Sequence, residues 1–412
     1  MYLSPMQTVL FIGLVWPEPK SSAAGTRMVQ LLELFSGAGY NVVFASAASK
    51  TAYSHPLYEQ HITDVNIQLN DSSFDVFITE LNPAIVLFDR FVIEEQYGWR
   101  VRQFAPQALT ILDTEDLHFL RAARQEAQKK QQTVDLYNPT AKREIASLLR
   151  TDLSLIISRE EMKLLQETFH IPEALLYYLP FLEQVPDATA QNAWPTFASR
   201  SNFIFIGNFL HEPNWHTVQV LKKEVWPPLK DKLPEAEMHI YGAYASEKVY
   251  QLHQPKDRFF IKDRAADARQ TMANYRVLLA PIAFGAGAKG KIIDAMQTGT
   301  PNVCSSLAAE SMHQDARWNG FIADELTDFV EKAVCLYRDH ALWIAAQQTG
   351  LALLRENYQA ADFIAPFLAK ILHLQSRLAA HRRANFIGEI LHSQQLSSTK
   401  YMALWIAEKN KK

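Results

Sequence analysis

The apolar residues of this chain fall in short unbroken runs that form two separate series. The first series holds Thr8–Leu14, Asn41–Ser46, Phe74–Thr79, Ala84–Asp89, Leu109–Asp113, Leu153–Ser158 and Leu175–Leu179. Most are rich in Val, Ile, Leu and Phe. A strand with no polar alternation is buried on both faces, as in a parallel sheet covered by helices. Met28–Ser36 carries apolar residues at helical spacing, and Gly37 and Gly39 end that helix. A polar, proline-bearing stretch from Glu183 to Ser201 interrupts the pattern. A second series then follows: Phe203–Gly207, Met238–Tyr241, Arg258–Ile261, Val277–Ala280 and Pro301–Cys304. The alternation predicts two parallel α/β domains joined near residues 183–200. Length agrees, since 412 residues exceed what one hydrophobic core usually supports.

The second series contains the chain's most chemically telling segment, Pro281-Ile282-Ala283-Phe284-Gly285-Ala286-Gly287-Ala288-Lys289-Gly290-Lys291. It leaves a buried strand and opens a helical pattern over Ile292–Gln297. A glycine-rich turn there gathers free backbone N–H groups at the positive end of a helix dipole, which favours a bound phosphate. Lys289 and Lys291 add full positive charge. Gly285, Gly287 and Gly290 spell G-x-G-x-x-G, with Glu310 about twenty residues on, as in a dinucleotide site. Gly285, Gly290 and Lys291 also spell most of a P-loop, but Ile292 stands where a Ser or Thr hydroxyl should hold Mg²⁺. A dinucleotide-dependent oxidoreductase therefore stays open, as does a plain turn with solvated lysines.

Composition narrows the class. A 48% hydrophobic and 21% charged chain is globular rather than disordered. Its net charge of −3 argues against a general nucleic-acid-binding surface. Cys304 and Cys335 are too few for a disulfide framework or a zinc cage, and both are expected to be small buried groups in a reducing compartment. No run approaches the roughly eighteen apolar residues of a membrane span, and Thr8–Leu14 is too short for a leader. The expectation is a cytoplasmic protein.

Two segments sit outside the alternation. Leu117–Gln132 is a basic helical stretch with Arg121, Arg124, Lys129 and Lys130, followed by a loop at Tyr137-Asn138-Pro139-Thr140. The tail from Gln375 to Lys412 carries Arg377, Arg382, Arg383, Lys400, Lys409, Lys411 and Lys412 among Phe386, Leu391 and Trp405. It reads as a solvated helix, as peripheral contact with an anionic membrane face, or as a return across the first domain.

From Phe203 onward the chain resembles the group-1 (GT4-like) glycosyltransferases. The matching residues come in order: Phe205-Ile206-Gly207-Asn208-Phe209 with Pro213-Asn214; Trp226-Pro227; Met238-His239-Ile240-Tyr241-Gly242; Leu279-Ala280-Pro281; the glycine turn through Asp294-Ala295-Met296; Gly299-Thr300-Pro301; and Ala309-Glu310. The resemblance implies the GT-B fold, two facing Rossmann-like domains with an inter-domain cleft. On that reading residues 1–183 form the acceptor domain and 184–365 the nucleotide-sugar donor domain. Residues 366–412 form a helical tail packing back on the first.

The implied activity moves a sugar from a nucleotide-diphosphate sugar to a hydroxyl of a glycan or lipid-linked glycan, in cell-surface polysaccharide synthesis. The family mostly retains anomeric configuration and works without a metal or cofactor. Lys289 and Lys291 would stabilise the departing pyrophosphate. Asp294 aligns with the family's ribose-gripping glutamate, one methylene shorter, and Ala286 stands where the family often has a second glutamate. Gly207, Asn208, Gly285 and Gly287 would line the donor site. Glu310 would hold donor-sugar hydroxyls or cap a helix beginning near Ser311. On the acceptor side, Ser21–Arg27, with Gly25 and Arg27, resembles the family's glycine loop; its plain reading is an N-capped helix start with Arg27 exposed. Asp113, Asp116 and His118 follow a strand, where related enzymes place a His-Asp pair; Asp116 and His118 could act on the acceptor hydroxyl. A non-catalytic nucleotide-binding protein is the third reading.

Overall fold

The computed structural model describes residues 6–313, 317–393 and positions 401, 405 and 409. Two parallel sheets organise it. The first contains β1 (Thr8–Gly13), β2 (Asn41–Ser46), β3 (Thr63–Asn66), β4 (Ile85–Asp89), β5 (Leu109–Asp113), β6 (Leu153–Ile156) and β7 (Leu176–Tyr178), in the order 3-2-1-4-5-6-7. The second contains β8 (Ser201–Ile206), β9 (Met238–Tyr241), β10 (Phe259–Ile261), β11 (Tyr275–Ala280), β12 (Asn302–Cys304) and β13 (Gly320–Ile322), in the order 10-9-8-11-12-13. Each sheet reverses its strand order beside its first strand. Loops at such a switch point leave a crevice at the carboxyl ends of the strands.

The unbroken apolar runs are buried on both sheet faces. In the first domain Leu10, Ile12 and Val86 join one core while Val9, Phe11 and Leu87 join the other. Two expectations need correction. Phe74–Thr79 is not a strand but part of a helix, Ser73–Leu81, in which Phe74 and Ile78 are buried one turn apart and Val76 is exposed. Its β-branched residues mask a helical i, i+4 spacing. Cys335 is exposed on the helix Leu326–Arg338, whereas Cys304 is buried. The edge strands β3 and β13 have no sequence signal: Thr63-Asp64-Val65-Asn66 is mostly polar and Gly320–Ile322 is three residues long.

The chain crosses between domains twice, side by side. Glu183 N–H donates to the Tyr358 carbonyl at 2.8 Å, and Ala360 N–H donates to the Glu183 carbonyl at 2.9 Å. After the second crossing the helix Ala360–Ser376 lies on the first domain, with Phe367 edge-on to Phe35 and Phe367, Ile371 and Leu374 in its core. Further on, Arg382 pairs with Asp152 at 2.8 Å. Lys400, Lys411 and Lys412 lie outside the described residues. Among the described residues no helix is long and apolar enough to cross a membrane.

Candidate active site

The facing carboxyl ends of the two sheets enclose a cleft of about 660 Å³. The first domain contributes Leu14 after β1, Arg90 after β4, and Glu115, Asp116, His118 and Arg121 after β5. The second contributes Gly207 and Asn208 after β8, Gly242 after β9, and Gly285, Lys289, Lys291 and Asp294 after β11. Gly287, Glu310, Gly25, Arg27 and Asp113 stand behind this lining.

The glycine turn leads into the helix Gly290–Gln297, with Lys289 at its N-cap. Gly287 has φ +64, a left-handed conformation that favours glycine. A Cβ there would also lie 2.9 Å from the Asp116 Cβ of the other domain. A Cβ on Gly290 would lie 2.6 Å from that of Ala23. The turn is thus pressed against the first domain, and only glycine permits that approach. Lys289 Nζ donates to the carbonyls of Ala286 at 3.1 Å and Gly287 at 2.5 Å. Burial lowers its pKa, against the opposing pull of Glu310, Glu161 and Asp116. Lys291 donates to Asn214 Oδ1 at 2.6 Å and sits 4.9 Å from the Phe205 ring centre. Burial, with Lys289 nearby, brings its pKa down to about 7. Two half-buried lysine amines whose hydrogen-bond acceptors among the described residues are neutral favour an anionic ligand, which stabilises their charged forms.

Asp294 lines the cleft, and its Oδ1 accepts from Arg269 Nε at 2.7 Å. Arg269 is also held by the buried Glu183, at 3.0 and 2.9 Å. Glu183 in turn accepts from Gln30 of the first domain and Gln297 of the second. The candidate ribose contact is therefore tied to the crossing between domains.

The acceptor-side expectations divide. Arg27 is not exposed but fully buried: its guanidinium donates to both Asp113 oxygens at 2.8–3.1 Å and to the carbonyls of Leu179 and Pro180. These two residues satisfy each other and hold β5 against the helix Ala23–Gly37, so neither reaches a ligand. Ser22 caps that helix by accepting from Gly25 N–H at 3.0 Å, and a Cβ on Gly25 would meet the Glu18 backbone at 2.4 Å. Gly25 is a packing glycine rather than a ligand contact. Glu310 is not the cap of a following helix. It follows the short helix Ser306–Ala309 and pairs with Arg124 of the first domain, while Ser311 has φ +63.

Asp116 and His118 do line the cleft. Burial raises the Asp116 pKa, but Arg121, which binds both its oxygens, and His118 and His211 outweigh that and bring it to about 2. Burial lowers His118 to about 4 against the pull of Asp116, whose Oδ1 lies 3.5 Å from Nε2. At neutral pH this is a carboxylate beside a neutral imidazole.

Several cleft groups had no site role assigned from the sequence. Arg90 and Glu115, on the adjacent ends of β4 and β5, both have left-handed backbones, φ +70 and +63. Such strain costs of order 1–3 kcal/mol per residue and collects at functional sites. Arg121 and Arg124 could have been read from their spacing, one turn and two turns after His118 on the helix His118–Lys130. Glu161 and Glu144, which brace the Asp116–His118 loop from other helices, carry no local signal.

Residues 200–339 match the family of group 1 glycosyl transferases. No curated protein matches the sequence. Among solved structures, TarM shares 9% identity over 89% of this chain and 99% of its own, with a TM-score of 0.70. The pneumococcal O-GlcNAc transferase GtfA, in complex with UDP and GlcNAc, shares 13% over 90% and 99%, TM-score 0.66. Sucrose-phosphate synthase from Thermosynechococcus elongatus shares 14% over 90% and 100%, TM-score 0.65. The two-domain fold is that of GT-B glycosyltransferases.

Proposed function

From a second domain that matches the group 1 glycosyl transferases, set in a GT-B frame, we propose that the chain transfers a sugar from a nucleoside diphosphate to a hydroxyl acceptor. One observation carries this reading. Lys289, Lys291 and the N-terminus of the helix Gly290–Gln297 converge on one side of a cleft whose other side holds Asp116 and His118. As the glycosidic bond breaks, its electron pair leaves with the diphosphate, and the growing charge meets two half-buried lysines and a helix dipole. The chain's own cations fill that role, so we read the transfer as metal-independent. Neutral His118 is in the form that takes a proton from an acceptor hydroxyl as the new bond forms at the anomeric carbon. We carry retention of configuration from the family alone.

The neighbours' UDP complexes make UDP the first ligand to test. Thermal unfolding with UDP, GDP, CMP and NADH separates the readings, since a ligand at 100 times its Kd adds about 2.7 kcal/mol. Stabilisation by NADH alone would sink the transferase reading. The oxidoreductase reading has little support. Its fingerprint belongs after the first strand of a domain, and here the glycine turn follows β11, the fourth strand, while β8 leads into Gly207-Asn208-Phe209. Release of UDP from a panel of UDP-sugars separates an active enzyme from a binding protein.

The acceptor we infer is a glycan or lipid-linked glycan of a cell-surface polysaccharide. The tail supports peripheral membrane contact: on the helix Phe386–Ser393, Phe386, Ile387 and Ile390 are exposed near the exposed Arg383, while Gly388 is buried against Leu149. Equal sedimentation with anionic and neutral vesicles would remove the charge-dependent contact.

A further inference from the structure

Glu161 is fully buried on the helix Arg159–Glu167 of the first domain, and its Oε1 accepts two backbone N–H groups from opposite walls of the cleft. One is Leu117 N–H at 3.1 Å, inside the Asp116–His118 loop. The other is Gly287 N–H at 2.8 Å, inside the glycine turn of the second domain. Glu161 does not line the cleft. We propose that Glu161 is a positioning residue that sets the donor turn and the acceptor-side loop in register through one shared oxygen, so that the reaction site is complete only when the domains are closed. The proposal rests on the glycosyl-transfer reading and deepens it.

Three observations support it. A Cβ on Gly287 would lie 2.9 Å from the Asp116 Cβ, so the two loops are closely apposed. Arg124, from the helix that begins at His118, donates to the Gly285 carbonyl at 2.9 Å, so a second group from the first domain shapes the same turn. Ser158 Oγ, at the cap of the Glu161 helix, lies 2.7 Å from Ser311 Oγ, and Ser311 Oγ also accepts from Glu160 N–H at 3.0 Å. Among the described residues the buried Glu161 Oε2 has no hydrogen-bond partner. A carboxyl group this buried is costly to keep, and its hydrogen bonds among the described residues form the bridge.

The geometry separates bonding from charge. Glu161→Gln keeps an acceptor oxygen where Oε1 lies, whereas Glu161→Leu removes it at similar volume. Both variants and the parent are compared for UDP binding by calorimetry and for kcat and KM with the best-used UDP-sugar of a panel. Backbone amide exchange at Leu117 and Gly287 is followed in parallel. We expect Glu161→Leu to bind UDP within about threefold of the parent and to lose at least thirtyfold in kcat. Glu161→Gln should stay within about fivefold of the parent in kcat. In the parent, both amides should be protected, and in Glu161→Leu both should exchange faster. Parental kcat in Glu161→Leu, equal damage in Gln and Leu, or an unprotected Gly287 amide in the parent each overturns the proposal. The parent's amide measurement still decides the bridge if Glu161→Leu does not fold. A parent that binds UDP yet turns over no UDP-sugar overturns the transfer reading itself, and the positioning role with it.

Discussion

Arg124 on the first domain donates to both carboxylate oxygens of Glu310 on the second, at 2.8 and 2.7 Å. The pair is half-buried and bidentate, the geometry in which an Arg–carboxylate contact is strongest. It joins the two domains beside the glycine turn, where Arg124 also donates to the Gly285 carbonyl at 2.9 Å. Arg124→Ala is expected to open the free protein, seen as a larger radius of gyration in solution scattering, with UDP affinity nearly unchanged. An unchanged radius would show that this pair does not hold the domains.

Lys289 is expected to matter more for the reaction than for binding. Lys289→Ala should lower kcat by about one to three powers of ten, the usual cost of one strong electrostatic contact to developing charge. UDP affinity should fall much less. Steady-state kinetics with UDP titration in parallel decides it, and an unchanged kcat would pass the role to Lys291 or to the backbone.

Lys291 predicts a pH dependence. Its pKa is brought down to about 7 in the free protein, and a bound diphosphate favours the charged form and raises it. Binding is then coupled to proton uptake above pH 7, so UDP affinity should fall as pH rises from 7 toward 9, by up to about tenfold per unit. Calorimetry in buffers of different ionisation enthalpy reads the uptake directly. Lys291→Met should remove it.

Asp294 presents one oxygen to Arg269, so a ribose contact would rest on the other. Hydrogen bonds to a charged group are worth about 1.5–3 kcal/mol, and Asp294→Asn should weaken UDP binding roughly ten- to a hundredfold. Asp294→Glu lengthens the side chain by one methylene but must share Arg269. Parental affinity in both variants would mean that another group holds the ribose.

The Arg27–Asp113 pair should report on stability alone. Breaking a buried pair by removing one partner costs about 3–5 kcal/mol because the other charge stays buried. Asp113→Leu should lower unfolding free energy in urea by that amount. A loss under about 1 kcal/mol would show that the site relaxes or hydrates.

Much of the fold was legible because burial leaves a local trace. Leu109–Asp113 and Met238–Tyr241 are strands over the residues their apolar runs mark. The glycine turn was legible for a similar reason: Gly287 needs a backbone that favours glycine, and two lysines follow within four residues. Phe74–Thr79 shows the limit. β-branched residues can cover a helix face as well as a strand, and only packing at Phe74 and Ile78 decides between them.

The donor-turn residues and the Asp116–His118 pair come together in one cleft, whereas Arg27 and Asp113 on the acceptor side and Glu310 on the donor side are held in ion pairs. Lys289, Lys291 and Asp294 lie within six residues of one turn, and a turn carries its own geometry. Arg27, Asp113 and Glu310 looked free because their partners are 86 and 186 residues away.

By itself the sequence determined two parallel α/β domains and a glycine turn suited to phosphate, since periodicity and backbone chemistry act over a few residues. The tertiary structure decided which charges are spent on each other and which remain for a ligand. Ion pairing depends on distance in space, and no spacing along the chain encodes that Asp113 meets Arg27, Glu310 meets Arg124 or Glu161 meets Gly287.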